Sequence, residues 1–196
     1  MAQPTPSFFE ELPAAARGSL VLVLGDRQAS AYFDFRQTGI VGSFIAFVVG
    51  LTVQAFGPGL FGTPMPAGIA TGTMILGGVI MAVQLGVAWL ILRQLGRGDG
   101  FVPFVVVQNW AMLFQGILAV ATIALFGQPF AIAPDGQMME FTTGSVPFLM
   151  LGIVALVVIV NISRLILTLR PLHVVLFVVA QLTTTLLVPP VVGGLL

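Results

Sequence analysis

Residues 101–126 read FVPFVVVQNWAMLFQGILAVATIALF. The stretch contains no charged side chain and exceeds the roughly 20 apolar residues that an α-helix needs to cross about 30 Å of hydrocarbon. It shows no period-two alternation and is too long for one strand of a barrel. In lipid the backbone must satisfy its own polar groups within the segment, so the stretch is predicted to be a transmembrane helix. Pro103 stands near its start, where a missing N–H costs least and the fixed φ suits a helix.

Working outward, four further apolar runs appear, at about residues 39–56, 67–92, 146–162 and 172–192. The breaks between runs (GPGLFGTPMP, RQLGRGDG, GQPFAIAPDGQMMEFTTGS and RLILTLRP) are rich in glycine, proline or charge, as connections are. The expected fold class is therefore all-α: a polytopic integral membrane protein with a five-helix transmembrane bundle over residues 38–196. Residues 1–37 are too polar to span and are read as a cytoplasmic, interfacial N-terminal segment retained in the mature protein. Ser7 and Glu10 have capping-box spacing ahead of a short helix, and Phe8, Phe9, Leu12, Tyr32, Phe33 and Phe35 suit the headgroup level.

Composition agrees. Of 196 residues, 58% are hydrophobic and 7% charged, with mean hydropathy +1.09, whereas about a quarter of a typical soluble domain is charged. Seven arginines balance seven acids and no lysine is present, so there is no basic excess to attract nucleic acid. The absence of cysteine excludes disulfides, thiolate metal sites and a cysteine nucleophile.

The arginines set the orientation. Arg17, Arg27 and Arg36 precede the first span, Arg93 and Arg97 lie between the second and third, and Arg164 and Arg170 lie between the fourth and fifth. The other two connections carry none, and the longer of them holds Asp135 and Glu140. The positive-inside rule then puts the N-terminus in the cytoplasm and the C-terminus in the periplasm. A four- or six-span arrangement breaks this one-sided distribution. The connection 127–145 reads as a solvated, acidic link with some capacity to meet a partner.

Lipid tails are as apolar as leucine, so inserted helices associate through close backbone approach and interhelical hydrogen bonds. Small residues recur at helical spacing in span one (Gly42, Ala46, Gly50, followed by Gln54) and in span two (Gly68 with Gly72, then Gly78, Ala82 and Gly86). These two faces are expected to pack as a hairpin; the same faces also suit a homodimer. Polar residues form stripes as well: Gln108, Gln115 and Thr122 on span three, His173, Gln181 and Thr184 on span five, with Gln84 in span two and Asn161 near Arg164. A polar group in hydrocarbon requires a partner, so these faces should point inward, as interhelical ties or as the lining of a polar route or pocket. Gln115 is the foremost candidate for a mid-membrane hydrogen bond.

No catalytic, cofactor or metal set is legible. A single histidine, His173, cannot form a bis-histidine haem or a two-histidine metal site, and it reads as an interface residue. Every acid lies outside the spans, which disfavours proton-coupled transport. GRGDG at 96–100 lacks the lysine and hydroxyl residue of a phosphate loop and joins two spans, so it is a turn. No G-x-S-x-G or H-E-x-x-H motif occurs.

Five spans, an N-terminal segment, the glycine-containing loop before span three (RQLGRGDGFVPF, 93–104) and the layout of residues 161–179 (NISRLILTLRPLHVVLFVV) together resemble the Yip family of small five-span membrane proteins. The resemblance implies a five-helix membrane fold and, by its eukaryotic members, an association with vesicle trafficking and small GTPases; it assigns no functional residue. The lysine-free composition points to a GC-rich bacterial genome and so to an inner membrane. The expected function is that of a non-enzymatic accessory, scaffolding or assembly-forming subunit, in contact with membrane lipids and with other membrane chains or copies of itself. The alternative is a transporter or channel for a small neutral or lipid-like substrate, its route lined by Gln108, Gln115 and Gln181.

Overall fold

A computed structural model describes residues 8–61, 67–132 and 139–193. The chain is an all-α integral membrane protein: five of its helices are long and apolar enough to cross a bilayer. Helix α1 (Phe8–Val23) precedes them; α2 (Gln37–Phe56), α3 (Ala67–Gln94), α4 (Phe101–Phe126), α5 (Ser145–Asn161) and α6 (Pro171–Gly193) are the spans. A 3₁₀ turn, Gly57–Phe61, prolongs α2, and a π turn, Ile162–Ile166, carries α5 four residues beyond the expected end at 162. The connection after α4 is more than a solvated link. Strands β1 (Phe130–Ile132) and β2 (Met139–Phe141) pair antiparallel within it, with Phe130 opposite Phe141.

The bundle is assembled from two helix pairs. The most extensive contact is between α2 and α4, and the second among the spans is between α3 and α6. On α2 the small stripe behaves as close packing requires: Gly42, Ala46 and Gly50 are all buried, and a Cβ on Gly50 would stand 3.0 Å from Leu113 Cα of α4. Ser43 accepts a hydrogen bond from Asn109 Nδ2 at 3.2 Å in the same interface.

The expected hairpin between the small faces of α2 and α3 does not form. The α2 stripe meets α4 and α1 instead, and on α3 the space that a Cβ would take at Gly68, Gly72, Gly78 or Gly86 is open. The residue of α3 that meets α2 is Gly77, against Leu51. The inward face of α3 is Ala70, Gly77, Met81, Gln84, Ala88 and Leu92. At 100° per residue, Gln84 points about 200° away from both Ala82 and Gly86, so one helix cannot turn both faces inward. The amide needs a partner in hydrocarbon and glycine does not; the amide decides the rotation.

Helix α1 lies against the arginine-bearing end of the bundle. Ala15, Gly18 and Leu22 form its buried face, Phe8 stacks on Trp110 at 5.4 Å, and Asn161 Nδ2 donates to the Leu22 carbonyl at 2.8 Å. The helix runs 16 residues, longer than the short element expected; the capping box involves Ser7, outside the described residues. The largest fully buried side chains, among them Trp110, Phe104, Phe177, Leu22, Leu92, Ile162 and Leu167, all lie towards this end. Phe104 and Phe177 meet edge to face at 5.2 Å, joining α4 to α6. The polar faces meet around a space that begins about 10 Å in from this end and continues towards the other.

Candidate functional site

Between the two helix pairs lies a cavity of about 420 Å³, within the range of small-molecule sites. Gln54 of α2, Gln84 of α3, Gln108 and Gln115 of α4 and Gln181 of α6 all line it, with Thr73 and Thr185. Helix α5 supplies an apolar wall of Gly152, Ala155, Leu156, Val158 and Ile159. Each amide is placed by ordinary helix geometry. Gln108 and Gln115 are seven residues apart and share a face of α4, and Gln54 continues the small stripe of α2.

Counted from the arginine-side end of each helix at 1.5 Å per residue, Gln108 lies about 10 Å in, Gln84 and Gln181 about 15 Å, Gln115 about 21 Å and Gln54 about 26 Å. The amides therefore descend through the bundle in steps of about 5 Å, close to the spacing between consecutive turns. Two of them are tied. Gln84 Nε2 donates to Thr185 Oγ1 at 2.8 Å, and Gln181 Nε2 donates to the Gln84 carbonyl at 3.2 Å. Gln54, Gln108 and Gln115 make no side-chain hydrogen bond among the described residues and present amide donors and acceptors to the cavity. Gln115 is thus a lining residue, and the expected mid-membrane bond is made by Gln84 and Gln181. Close approach of Gln54 depends on Gly116, where a Cβ would stand 2.9 Å from Gln54 Nε2.

A second cavity of about 670 Å³ adjoins the first towards the β-hairpin. Gln54, Met112, Gln115, Gly152 and Ala155 line both. Its remaining walls are largely apolar: Leu118, Ala119, Val146, Phe148, Leu149, Leu151 and Val154, roofed by Phe130 and Phe141. No ionisable side chain lines either cavity. A site of this kind can exchange hydrogen bonds with an uncharged molecule but has no group to neutralise an ion.

The other residues singled out by sequence stand elsewhere. Asn161 ties α5 to α1 through the Leu22 carbonyl, and His173 sits half-buried in the first turn of α6; neither lines the cavities. Sequence reasoning passed over Asn109 and Ser43, whose buried bond joins α2 to α4, although Asn109 adjoins the predicted Gln108 stripe. It also passed over Thr73 and Thr185; Thr185 lies four residues from Gln181, a spacing that marks a shared helix face.

A cluster of charge lies outside the spans, where Glu10, Glu11, Asp34 and Arg36, with Tyr32, border a cleft beside Trp110. Asp34 accepts from Arg36 Nε at 2.9 Å and from Thr38 Oγ1 at 2.9 Å, and the Arg36 hydrogen bond holds its carboxyl below the usual range. Burial pushes the Glu11 carboxyl above its usual value, and the Asp34 charge adds to this while Arg36 opposes it. Glu11 Oε2 occupies the place that a Cβ on Gly42 would take.

Comparison with protein-family models, with curated proteins and with solved structures finds no match to this chain.

Proposed function

We propose that this integral membrane protein binds a small neutral, hydrogen-bonding or lipid-like molecule in the glutamine-lined cavity and moves it across or within the bilayer. The observation that carries the reading is the convergence of Gln54, Gln84, Gln108, Gln115 and Gln181, from four different spans, on one space. Amides that served only to tie helices together bond across to a neighbouring helix, as Gln84 does to Thr185 and Gln181 to the Gln84 main chain; three here face the cavity without such a bond. Uncharged walls suit an uncharged passenger, and amides carry no proton at neutral pH, so transport is uncoupled from protons. The activity is non-enzymatic. The chain sits in a bacterial inner membrane, with the arginine-bearing loops in the cytoplasm.

The test is flux in proteoliposomes. Wild-type protein is expected to speed entry of an uncharged solute such as glycerol or of a neutral lipid-like probe, and Gln115→Leu to lower that rate without loss of folded protein. Equal flux in protein-free liposomes for every uncharged probe overturns the proposal.

One observation favours a second reading, an accessory or assembly-forming subunit. The stripe Gly68, Gly72, Gly78, Ala82 and Gly86 is uncovered within the chain, and small-residue stripes are how membrane helices approach one another. A partner span or a second copy of α3 fits that face, and the Yip-like layout is compatible with either role. Cross-linking between cysteines placed at Gly78 in two copies tests it: a dimer supports self-association, and a cross-link only to another chain supports an accessory role.

A further inference from the structure

We infer that the passenger is an uncharged single-chain amphiphile, its polar head held among Gln54, Gln108 and Gln115 and its hydrocarbon chain lying in the adjoining groove between α4 and α5. This rests on the proposed binding function and names its substrate class.

Three observations converge on it. The first is continuity: Gln54 and Gln115 line both cavities, so a molecule hydrogen-bonded to either amide has the apolar groove directly beside it. The second is the sharp division of polarity. Five glutamines lie in the smaller cavity, and beyond the two shared ones the larger is walled mainly by apolar residues such as Leu118, Phe148, Leu149 and Val154, with Phe130 and Phe141 above; its two hydroxyl residues, Thr142 and Ser145, donate to the Gln128 and Pro129 carbonyls. A purely water-soluble solute leaves the larger space unused, and a pure hydrocarbon leaves the amides without partners. The third is access. Leu118 of α4 and Val146 and Leu149 of α5 are exposed on the outer surface of these two spans, so the groove between them opens sideways on the β-hairpin side. A chain can enter from the bilayer without passing through water.

The head must be neutral. No arginine, histidine or carboxylate lines either space, and an ion brought there has nothing to offset its lost hydration. A phospholipid head carries a charged phosphate that no group in either space offsets, so the site discriminates against the lipid around it.

The experiment uses the full chain in detergent and in liposomes with three probes: monoolein, which has a neutral head and one chain; ionised oleate, which has the same chain and a charged head; and glycerol, which is the head alone. Native mass spectrometry is expected to show one monoolein per chain and at least about tenfold weaker retention of oleate, since a difference of about 1.4 kcal/mol suffices for that ratio. Gln115→Leu weakens monoolein by about the same factor. Gly152→Phe is expected to block the junction of the two cavities; a Cβ there meets nothing within 4 Å, and unchanged thermal unfolding checks that the variant folds. It abolishes monoolein retention.

Rapid glycerol flux without a monoolein adduct overturns the amphiphile inference and leaves the binding function standing. Absence of any effect with all three probes overturns both. Equal retention of oleate, a bound two-chain phospholipid, or full retention of monoolein in folded Gly152→Phe each overturns the inference.

Discussion

Gln181 on α6 donates through Nε2 to the main-chain carbonyl oxygen of Gln84 on α3, 3.2 Å away, while the Gln84 amide itself reaches Thr185 Oγ1 at 2.8 Å. The carbonyl has two lone pairs, so it can serve its own helix and still accept the second bond. The two contacts form a clasp between α3 and α6 on the wall of the cavity. It holds α3 with its glutamine inward and its glycine stripe outward.

The strength of that clasp is measurable. Gln84→Leu, Thr185→Val and the double substitution, followed by unfolding in detergent, are expected to give a coupling of about 0.6 kcal/mol and no more than about 1.7 kcal/mol, the range of interhelical hydrogen bonds in membranes. Strictly additive effects show that the two side chains do not interact.

Close packing separates the two small stripes. Gly50→Leu drives a side chain into the α4 backbone at Leu113 and is expected to destabilise the chain by about 1–3 kcal/mol. Gly78→Leu enters open space and leaves the stability of the isolated monomer unchanged. The reverse order of melting temperatures rules out the α2–α4 pairing. If Gly78→Leu lowers only the stability of an oligomer, its stripe is the contact between chains.

Acid dependence should appear at the N-terminal cleft. The Glu11 carboxyl titrates above its usual 4.5 in the folded chain, so folding takes up a proton between that value and the raised one. The stabilising contribution is complete below about the usual carboxylate value and is lost as pH rises through the raised one. Glu11→Gln should therefore raise the melting temperature at neutral pH and change it little in acid. Asp34 has the opposite sign: its carboxyl is held low by Arg36, and its contribution is lost as pH falls, so Asp34→Asn lowers stability at neutral pH. A Glu11→Gln chain less stable than wild type at neutral pH contradicts the first assignment.

Arg97 links two connections on the same face of the bundle. Its guanidinium donates through Nη2 to the Leu167 carbonyl at 2.9 Å and to Thr168 Oγ1 at 2.6 Å, and through Nη1 to the Thr168 carbonyl at 3.4 Å, just after the π turn, where Thr168 has φ +49°. Lysine lacks the rigid fork that serves two acceptors at once. Arg97→Lys is expected to cost about 1 kcal/mol, the site being partly exposed, and to speed hydrogen exchange at residues 162–169. Unaltered exchange there shows that the fork does not hold the turn.

Sidedness can be tested on the loops. The chain has no cysteine, so Asp99→Cys and Glu140→Cys each place one thiol, on loops at opposite ends of α4. In intact spheroplasts an impermeant maleimide should label Cys at 140 and spare Cys at 99. Labelling in the opposite pattern inverts the orientation.

The fold class and the five crossings were legible because hydrocarbon acts on each segment separately. A run such as 101–126 without charge has one stable option in lipid, whatever surrounds it. The inward direction of the polar faces was legible for the same reason, since Gln84 or Gln108 alone carries the cost of burial. The hairpin of Phe130–Ile132 with Met139–Phe141 was not anticipated, although the PDG at 134–136 is a turn signature. The opposition between Gln84 and the Ala82–Gly86 stripe is also present in the spacing.

Sequence alone thus determined that this protein crosses the membrane through five helices, that its arginines fall on alternate connections, and that glutamines rather than charges occupy the spans. Only tertiary structure decided which helix each face meets: α2 on α4, α3 on α6, and five amides around one cavity. The physical reason is that insertion is a property of one segment against lipid, whereas lateral pairing is a competition among several similar apolar surfaces. That competition is settled by small differences in close approach and hydrogen bonding, which exist only once the helices are side by side.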